Sequence, residues 1–375
     1  MEGVFTIEEL QQKLPDYGKV EAVTCATFAV VSAVSLIFEF PFAEAGKFKK
    51  AIKITIEGEE TLVGPAPNET LGIADGIASR PIFIEKLLEG EKVKSVVTGE
   101  KIDGTKEIIE RELTLKDFSY AKLLFTRVCV KNYMGFISEK PVKTIFSADT
   151  LNPGEFTFSG CGTLNPLEHF KIHEGEKIFI AGTTGIVTGN GTRSTPQKPN
   201  LSVICDLKKV NRNYFGLFKT GGGVEYYVGL GIKKPIDNYQ TYVNLLNKRQ
   251  KNIPLPVANV IGRKVISTIT YEDVWKFDES FKFIKETCRN CYQCMVEETC
   301  PANAFSKSEG FLPNCMFCGK CISTCPFNSI KGNMGTVIVN GINYKISFRQ
   351  SSIKRAREIA EKLKNGYYFD KIVKV

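Results

Sequence analysis

The sequence has little histidine and no uninterrupted apolar run long enough to cross a membrane. Only two histidines, His169 and His173, occur among 375 residues. A metal site built on histidine would be short of ligands, so we interpret both as surface or structural residues. The longest apolar stretch, residues 23–38, contains Thr and Ser and falls short of the roughly 20 residues that a spanning helix needs. We expect a buried core segment there, and no membrane partner.

The N-terminus lacks the features of a secretory signal peptide. The opening "MEGVFTIEEL" is acidic, with no basic segment ahead of an apolar one, so we expect a cytoplasmic protein. The net charge is +9, but the lysines are scattered and no aromatic-basic signature of RNA binding is present. We therefore expect no nucleic-acid partner. The charge fits either a solvated basic surface or an anionic substrate.

Familiar nucleotide-binding motifs are also missing. The segment "GTTGIV" lacks the glycine spacing of a dinucleotide-binding fingerprint, and no Walker sequence occurs. These absences argue against a nicotinamide-dependent or nucleotide-hydrolysing enzyme of a common type.

Cysteine, in contrast, is abundant and unevenly placed. Eight of the twelve cysteines lie between residues 288 and 325, and structural disulfides are not expected in a reducing cytoplasm. The second half of this block has the bacterial ferredoxin spacing C-x2-C-x2-C-x3-C-P, at Cys315, Cys318, Cys321 and Cys325. The first half repeats the pattern, with five residues before its last cysteine instead of three, at Cys288, Cys291, Cys294 and Cys300.

The two halves together predict two [4Fe-4S] clusters with crossed ligation, since the fourth cysteine of each run binds the other cluster. One cluster takes Cys288, Cys291, Cys294 and Cys325. The other takes Cys315, Cys318, Cys321 and Cys300. Zinc is the alternative, because C-x2-C pairs also form zinc ribbons, but two tandem triplets that each end in Cys-Pro favour iron–sulfur clusters. The two extra residues before Cys300 either lengthen a turn, which we favour, or loosen one cluster.

The rest of the chain is rich in short strand-like segments and glycine turns. We predict an α+β fold: a mixed α/β catalytic domain over residues 1–275, a ferredoxin-like domain with two [4Fe-4S] clusters over 278–332, and a β-hairpin with a C-terminal helix over 333–375. The hairpin is predicted by Asn340-Gly341 between alternating segments. The helix has one apolar face, made of Ile353, Ala356, Ala360 and Leu363. We expect this tail to pack back onto another part of the chain.

Cysteine chemistry is the remaining option for the first domain. A thiolate can carry sulfur as a persulfide or attack a carbonyl if nearby cations lower its pKa. If Cys129 lies in a strand, residues two positions away share its face, so Arg127 and Lys131 would flank the sulfur. The alternative is a small core residue.

Three other cysteines lie outside the block. Cys161, in "SGCGTLNP", lies on a glycine turn and is the second catalytic candidate. Cys25 and Cys205 lie in apolar segments, and we interpret both as core residues.

Several of these segments resemble one family. "LLFTRVCVKNY", "TFSGCGTLNPL", "IFIAGTTGIVTGNGT" and "TGGGVEYYVGLGI" are similar to the homocysteine-biosynthesis proteins of archaea and anaerobes, which are aspartate-semialdehyde sulfurtransferases. The resemblance runs over most of residues 1–240. The whole architecture, with the cysteine block and the "GTVIVNG" tail on one chain, is similar to the methanogenesis marker sixteen metalloproteins.

The resemblance implies reductive thiolation of an aldehyde: sulfur is added to the carbonyl and electrons then yield a thiol. Cys129 falls where the family's persulfide-bearing cysteine lies. The implied partners are a small anionic aldehyde, a sulfide or persulfide donor and an external low-potential electron donor.

The sequence departs from the family pattern at two places. A family cysteine in the N-terminal segment falls near Ser32, which puts a two-cysteine relay in doubt. In "GTRSTP", Arg193 follows Thr192 where the family has a different polar residue; an arginine there can pair with an anionic head group. The backbone amides of "TGNGT" are candidate anion donors as well. A plain surface hairpin with a solvated arginine is the alternative.

Three aldehydes fit such a reaction. Sulfoacetaldehyde would give coenzyme M, aspartate semialdehyde would give homocysteine, and an oxoheptanoate would give the thiol arm of coenzyme B. The extra arginine and the positive charge favour the sulfonate. The competing class is an electron-transfer or metallocentre-assembly protein that serves methyl-coenzyme M reductase.

Overall fold

The structure is a computed structural model that describes residues 3–64, 68–131, 134–159, 165–277 and 281–366. Within these ranges the chain forms 26 strands and seven α-helices. The strands are β1 (Val4–Thr6), β2 (Ala22–Val31), β3 (Val34–Pro41), β4 (Lys50–Ile56), β5 (Glu59–Val63), β6 (Ile73–Ser79), β7 (Val93–Glu100), β8 (Lys106–Leu113), β9 (Tyr120–Val128), β10 (Met134–Ile137), β11 (Val142–Lys143), β12 (Thr150–Leu151), β13 (Glu155–Ser159), β14 (Lys177–Ile180), β15 (Thr183–Asn190), β16 (Leu201–Asp206), β17 (Phe215–Thr220), β18 (Gly223–Pro235), β19 (Pro254–Asn259), β20 (Val265–Thr270), β21 (Lys282–Phe283), β22 (Phe305–Ser306), β23 (Gly310–Phe311), β24 (Ile330–Lys331), β25 (Thr336–Val339) and β26 (Ile342–Arg349). The helices are α1 (Ile7–Lys13), α2 (Ile84–Glu89), α3 (Pro166–His169), α4 (Tyr239–Asn247), α5 (Met295–Thr299), α6 (Lys320–Thr324) and α7 (Ile353–Lys364).

The first sheet has 14 strands in the order β1-β2-β18-β14-β15-β16-β9-β3-β6-β5-β4-β7-β8, with β17 paired to β18. Its pairs are antiparallel apart from the parallel pair β1–β2. Residues 23–38 supply most of β2 and the first part of β3, and their side chains belong largely to the apolar core. The prediction of a buried core segment is therefore confirmed. No helix among the described residues is long and apolar enough to cross a bilayer.

The second sheet combines strands from both sides of the cysteine block. Its order is β20-β19-β10-β13-β26-β25, and β13 pairs in parallel with β26. The predicted hairpin is confirmed: β25 and β26 turn at Asn340 and Gly341, whose φ angles of 51° and 80° suit a type I′ turn. The C-terminal tail thus shares a sheet with earlier strands. The division at residues 275, 278–332 and 333–375 remains a prediction.

Helix α7 packs on β2 and β18 of the first sheet, as expected for a tail that folds back. Its buried face consists of Ile353, Ala356, Ile359, Ala360 and Leu363. Two glycines make the close approach possible: a Cβ on Gly229 would lie 2.8 Å from Ile359 Cδ1, and one on Gly231 would lie 2.7 Å from Leu363 Cδ1. Each fully buried Ile or Leu contributes about 1.5–3 kcal/mol. This packing fixes the segment ahead of α7, which lies beside both sites described below.

The fold class is confirmed in its broad form. The chain is a strand-rich mixed α/β protein with large sheets and a cysteine-rich segment at 288–325. That segment holds only small elements, namely α5, α6 and the strand pair β22–β23, with the pair β21–β24 flanking it.

Candidate active site and cysteine clusters

A cleft of about 290 Å³ lies between the strands β2, β9 and β18 of the first sheet and β10 of the second. Apolar side chains from these strands form part of its wall. The polar part of the wall consists of Ser32, Arg127, Arg193, Glu225, Arg263 and Gln350. Three arginines against one carboxylate leave an excess of positive charge, which suits an anionic ligand. A larger groove of about 770 Å³ runs along α7 and holds none of the predicted site residues.

The structure brings two of the predicted substrate-binding arginines together and shows how one is held. Arg127, near the end of β9, donates from Nε to Thr192 Oγ1 at 3.1 Å and from Nη1 to Ser32 Oγ at 3.4 Å. The Thr192 amide in turn binds the Thr126 carbonyl at 2.8 Å. Thr192 therefore orients Arg127, and Arg193, the next residue, lines the same cleft.

Five of the 13 non-glycine residues with left-handed backbone in the described part of the chain lie at or beside this cleft. They have φ between 52° and 62°: Ala33, Arg80, Cys129, Arg193 and Arg263. Such conformations are uncommon outside glycine and cost of order 1–3 kcal/mol each. Their grouping points to a functional site, because strained backbone conformations occur mostly where a residue must hold a ligand or a reacting group in a fixed position.

The strand geometry from which cations were expected to flank the Cys129 sulfur is not found. Cys129 follows the last residue of β9 and has φ 52°, so strand alternation does not apply to it. Lys131 is paired elsewhere: its ammonium lies 3.3 Å from Glu168, and its amide binds the Pro199 carbonyl at 2.9 Å. Neither Lys131 nor the Cys129 thiol lines the cleft, whereas Val130 between them does.

The Cys129 thiol is buried and hydrogen-bonded. Its Sγ donates to Asn165 Oδ1 at 2.9 Å. Burial raises the pKa of this thiol well above its usual value, the backbone amide of Leu167 opposes the rise, and Glu168 adds to it. The lowered pKa expected for a reactive thiolate is therefore not found. Cys161, the second candidate, lies outside the described residues.

Other predicted features have mixed outcomes. Cys25 and Cys205 are buried core residues, as expected. The suggestion that the "TGNGT" amides bind an anion is wrong for two of them, because the Gly191 amide binds the Asn200 carbonyl and the Thr192 amide binds that of Thr126. Burial lowers the pKa of His169 to about 3, so its ring is neutral.

Four cysteines of the block converge on one cavity, and we call them the inner set: Cys300, Cys315, Cys318 and Cys321. Two of them accept backbone hydrogen bonds, from Ala304 to the sulfur of Cys300 at 3.2 Å and from Phe317 to that of Cys315 at 3.4 Å. Burial raises the pKa of Cys315 and of Cys321 to about 12. Buried thiols of this kind become thiolates by binding metal, so the inner set fits one [4Fe-4S] cluster.

The other four cysteines form the outer set: Cys288, Cys291, Cys294 and Cys325. All four are partly exposed, as are Cys300, Cys315 and Cys321 of the inner set, whereas Cys318 is buried. Cys294 and Cys325 pack against a small apolar group made of Val296, Phe305 and Ile330. Burial raises the pKa of Cys325, but backbone amides of Ser329, Phe327 and Ile330 outweigh it and leave the pKa below its usual value. This donor set fits a second cluster.

The described residues, which include all eight cysteines of the block, contain no group of three or more Cys, His, Asp or Glu arranged around a single metal ion. A zinc ribbon requires such a group, with four sulfurs about 2.3 Å from one ion. The preference for iron–sulfur clusters over zinc rests on the cysteine spacing, which is that of two-cluster ferredoxins.

Sequence reasoning missed two charged residues of the cleft, Arg263 and Glu225. Arg263 lies in the connection between β19 and β20, where "IGRK" gave only a turn signal. Its guanidinium lies 5.9 Å from the centre of the Phe146 ring. Glu225 is the single acidic residue in the largely apolar strand β18. An acid in such a strand is the sequence feature that could have identified it as a candidate functional residue.

The chain matches the family described as "Homocysteine biosynthesis enzyme, sulfur-incorporation" over residues 3–368. It is 34% identical to an uncharacterized protein of Methanocaldococcus jannaschii, over 97% of this chain and 98% of that one. It is also 34% identical to an uncharacterized protein of Methanothermobacter thermautotrophicus, over 96% of this chain and 89% of that one.

A more distant relative carries a named activity. The L-aspartate semialdehyde sulfurtransferase of Methanosarcina acetivorans is 29% identical over 63% of this chain and 51% of its own length. No solved structure matches this chain. With the family match over nearly the whole length, the protein belongs to the homocysteine-biosynthesis family of sulfur-incorporating enzymes.

Proposed function

We propose that this protein catalyses the reductive thiolation of a small anionic aldehyde, with sulfoacetaldehyde giving coenzyme M as the favoured case. Within its family we assign it to the methanogenesis marker sixteen group. In balanced form, the aldehyde, one molecule of hydrogen sulfide, two electrons and two protons give the thiol and water. If the sulfur arrives as a persulfide on Cys129, two more electrons and two more protons are needed to cleave the S–S bond. An external low-potential donor supplies the electrons.

The observation that carries this proposal is the arginine-lined cleft. Arg127 and Arg193 come from the first sheet and its loops, and Arg263 comes from the second sheet, so a small anion between them meets cations from both sides. A guanidinium binds the oxygens of a carboxylate, phosphate or sulfonate through paired hydrogen bonds. A volume of about 290 Å³ suits a ligand of a few heavy atoms.

Sulfur chemistry is assigned to Cys129, with Cys161 as second candidate. The neighbouring Val130 lines the cleft, and the left-handed backbone of Cys129 supports a functional role. Because burial raises the pKa of this thiol, it is protonated at neutral pH, and sulfur loading requires an acceptor for its proton.

The cysteine block fits the redox part of the reaction. Bound [4Fe-4S] clusters pass single electrons, with the inner set holding one cluster and the outer set the other. One backbone contact between the inner set and the cleft wall supports this assignment: the Arg349 amide binds the Cys318 carbonyl at 3.0 Å, and the next residue, Gln350, lines the cleft.

The test is an anaerobic assay of protein with reconstituted clusters, a low-potential reductant and a small-molecule persulfide, which transfers its outer sulfur to Cys129 and leaves as a thiol. Thiol products of the three aldehydes are followed by mass spectrometry. We expect coenzyme M from sulfoacetaldehyde with wild type and none with Cys129→Ala. Product from both would move the sulfur chemistry away from Cys129. Sulfoacetaldehyde as the poorest of the three substrates would overturn the substrate assignment.

Two alternatives have specific support. The named relative acts on aspartate semialdehyde, so homocysteine is the second candidate product, with the coenzyme B thiol arm third. The exposed side chains of Tyr292 and Phe327 beside the outer set support a role in electron transfer or metallocentre assembly for methyl-coenzyme M reductase. In that role the protein would remain functional in the Cys129→Ala variant, and it would form no thiol product from any of the three aldehydes.

A further inference from the structure

Glu225 is the one acidic side chain among the described residues that line the cleft. It lies near the start of β18, and only 5% of its surface is exposed. A carboxyl group this deeply buried is rare unless it is paired or serves a function. Packing alone therefore does not explain its position.

The two carboxyl oxygens of Glu225 have different partners. Oε1 accepts a hydrogen bond from Arg80 Nη2 at 3.2 Å, and the same guanidinium nitrogen binds the Val224 carbonyl at 2.8 Å. Oε2 is buried and has no hydrogen-bond partner among the described residues. A buried unpaired oxygen is destabilising, and that cost falls if the oxygen carries a proton that it can donate to a ligand.

The charges around Glu225 act in opposite directions. Burial, the largest effect, raises the pKa of Glu225, while Arg80 and Arg127 pull it down, and the net result is a raised pKa. Arg193 and Arg263 also line the cleft that Glu225 faces. The carboxyl therefore keeps its proton to a higher pH than an ordinary glutamate, despite four arginines nearby.

We propose that Glu225 is the acid that protonates the aldehyde oxygen when sulfur adds to the carbonyl carbon. The inference rests on the proposed function. In this step two electrons from the external donor and one proton first cleave the Cys129 persulfide to the thiol and hydrosulfide. The hydrosulfide then forms the C–S bond, the C=O π bond breaks, and the Oε2 proton moves to the oxygen. Thus hydrosulfide, the aldehyde and the Glu225 carboxylic acid give a hemithioacetal, with one hydroxyl and one thiol on the same carbon, and the Glu225 carboxylate. Solvent then reprotonates the carboxylate.

The same group serves the next step. Conversion of the hemithioacetal to the thiol requires two electrons from the external low-potential donor and two protons, and it releases the hydroxyl as water. A reprotonated Glu225 beside that oxygen supplies one of these protons. Arg127, Arg193 and Arg263 hold the anionic head group meanwhile, so binding and proton transfer are assigned to different residues.

The first test needs no turnover. Ethanesulfonate, a sulfonate without a carbonyl, is titrated calorimetrically into wild type and Glu225→Gln between pH 5 and pH 8. With wild type we expect affinity to fall as pH rises, because ionised Glu225 repels the anion. With Glu225→Gln this dependence disappears, and affinity at the acid end stays within about twofold of wild type. An equal pH dependence in both proteins would overturn the proton-carrying role.

The second test uses the reaction. Glu225→Gln is expected to lower kcat by about 10²- to 10⁴-fold with little change in KM. Glu225→Asp restores part of the rate and keeps the fall of kcat at high pH, where the acid is ionised. In Arg80→Gln the decrease of kcat should begin at a higher pH, because a cation that lowers the pKa of Glu225 is removed. Unchanged kcat in Glu225→Gln would overturn the inference.

The two failures are distinguishable. If wild type turns over none of the three aldehydes, the proposed function fails and the catalytic role fails with it. If wild type is active and Glu225→Gln is equally active, only this inference fails. Thermal unfolding of each variant beside wild type shows whether a lost rate reflects a lost fold.

Discussion

The inner and outer cysteine sets share their spacing but differ in surroundings. Cys318 of the inner set is buried and belongs to the apolar core that α7 helps to form. The backbone around this set bonds to distant strands, for example from Lys219 to Pro301 at 2.8 Å. The outer set, in contrast, lies beside Tyr292, which is 100% exposed, and Phe327, which is 46% exposed.

The difference shows that the cysteine spacing does not determine the burial of a cluster. Spacing determines which cysteines can share a cluster, but the rest of the chain determines whether that cluster is part of the core or at the solvent. The inner set is held by β26, the segment 349–352 and α7, all of which follow the block in sequence. Cys318 of the inner set bonds through its carbonyl to Arg349, next to the cleft residue Gln350, whereas exposed aromatic side chains stand beside the outer set. Four substitutions break or sharpen this contrast.

The largest effect is expected from losing an inner ligand. Cys318→Ser should lower the free energy of unfolding by more than about 3 kcal/mol, because a buried ligand and its metal are lost. Cys291→Ser in the outer set is the matched control and should cost about 1 kcal/mol. Iron content and thermal unfolding test this. Each variant should lose half its iron, and equal destabilisation would contradict the contrast.

Gly319, next to Cys318, tests how tightly the inner set is packed. Its φ is 92°, and an added Cβ would lie 2.7 Å from both Sδ and Cε of Met334. Gly319→Ala should therefore cost about 2 kcal/mol or more. Gly341→Ala is the control, since Gly341 has φ 80° but open space around it, and should cost about 1 kcal/mol. Chemical denaturation measures both; a larger cost at Gly341 would show that crowding at the inner set is unimportant.

A smaller effect is expected on reduction potential. Burial raises the pKa of Cys315, while Arg355 and Lys354 pull it down, so both cations act on the inner set. Removing a cation disfavours the more negative reduced cluster. Arg355→Met should lower the potential of one cluster and leave the other unchanged in an EPR-monitored redox titration. Lys362→Met, on the same helix, is the control. Equal shifts of both clusters would refute the assignment.

The smallest effect concerns the far end of α7. Lys364 Nζ lies 2.6 Å from Glu9 Oε2, and Lys13 and Thr6 also bind this carboxylate. Burial raises the pKa of Glu9, but these partners outweigh it and bring the pKa to about 2. The pair thus contributes stability that is present above the ordinary glutamate pKa and is lost as pH falls through about 2. Lys364→Met should cost less than about 1 kcal/mol at pH 7 and leave iron content unchanged. Loss of inner-set iron would show that α7 is held from this end.

Local signals in the sequence predicted much of the fold. The Asn340-Gly341 turn and the apolar face of α7 both depend on residues close together in the chain, and the structure confirms each. The pairing of β13 with β26 was not predictable, because it joins segments separated by the whole cysteine block. Long-range pairing leaves no periodic signal in a single sequence.

The site shows the same limit. Arg127 and Arg193 were identified from short motifs, and the structure places both in one cleft. The strand geometry predicted for Cys129 was wrong because this residue follows the end of β9 and has left-handed backbone. Its side chain therefore does not follow the alternation of a strand. Arg263 and Glu225 were missed because each reaches the cleft from a segment that carries no motif. Only the meeting of two sheets makes them neighbours.

The central claim is that an arginine-lined cleft binds the anionic aldehyde for thiolation. The most direct measurement compares steady-state kinetics of sulfoacetaldehyde thiolation by wild type, Arg193→Met and Lys53→Met. We predict that KM rises about 10- to 100-fold in Arg193→Met, because a charge-assisted hydrogen bond is lost. In Lys53→Met, whose ammonium pairs with Glu60 in an exposed salt bridge outside the cleft, KM should stay within about twofold. Unchanged kinetics in Arg193→Met, or an equal loss in Lys53→Met, would contradict the account.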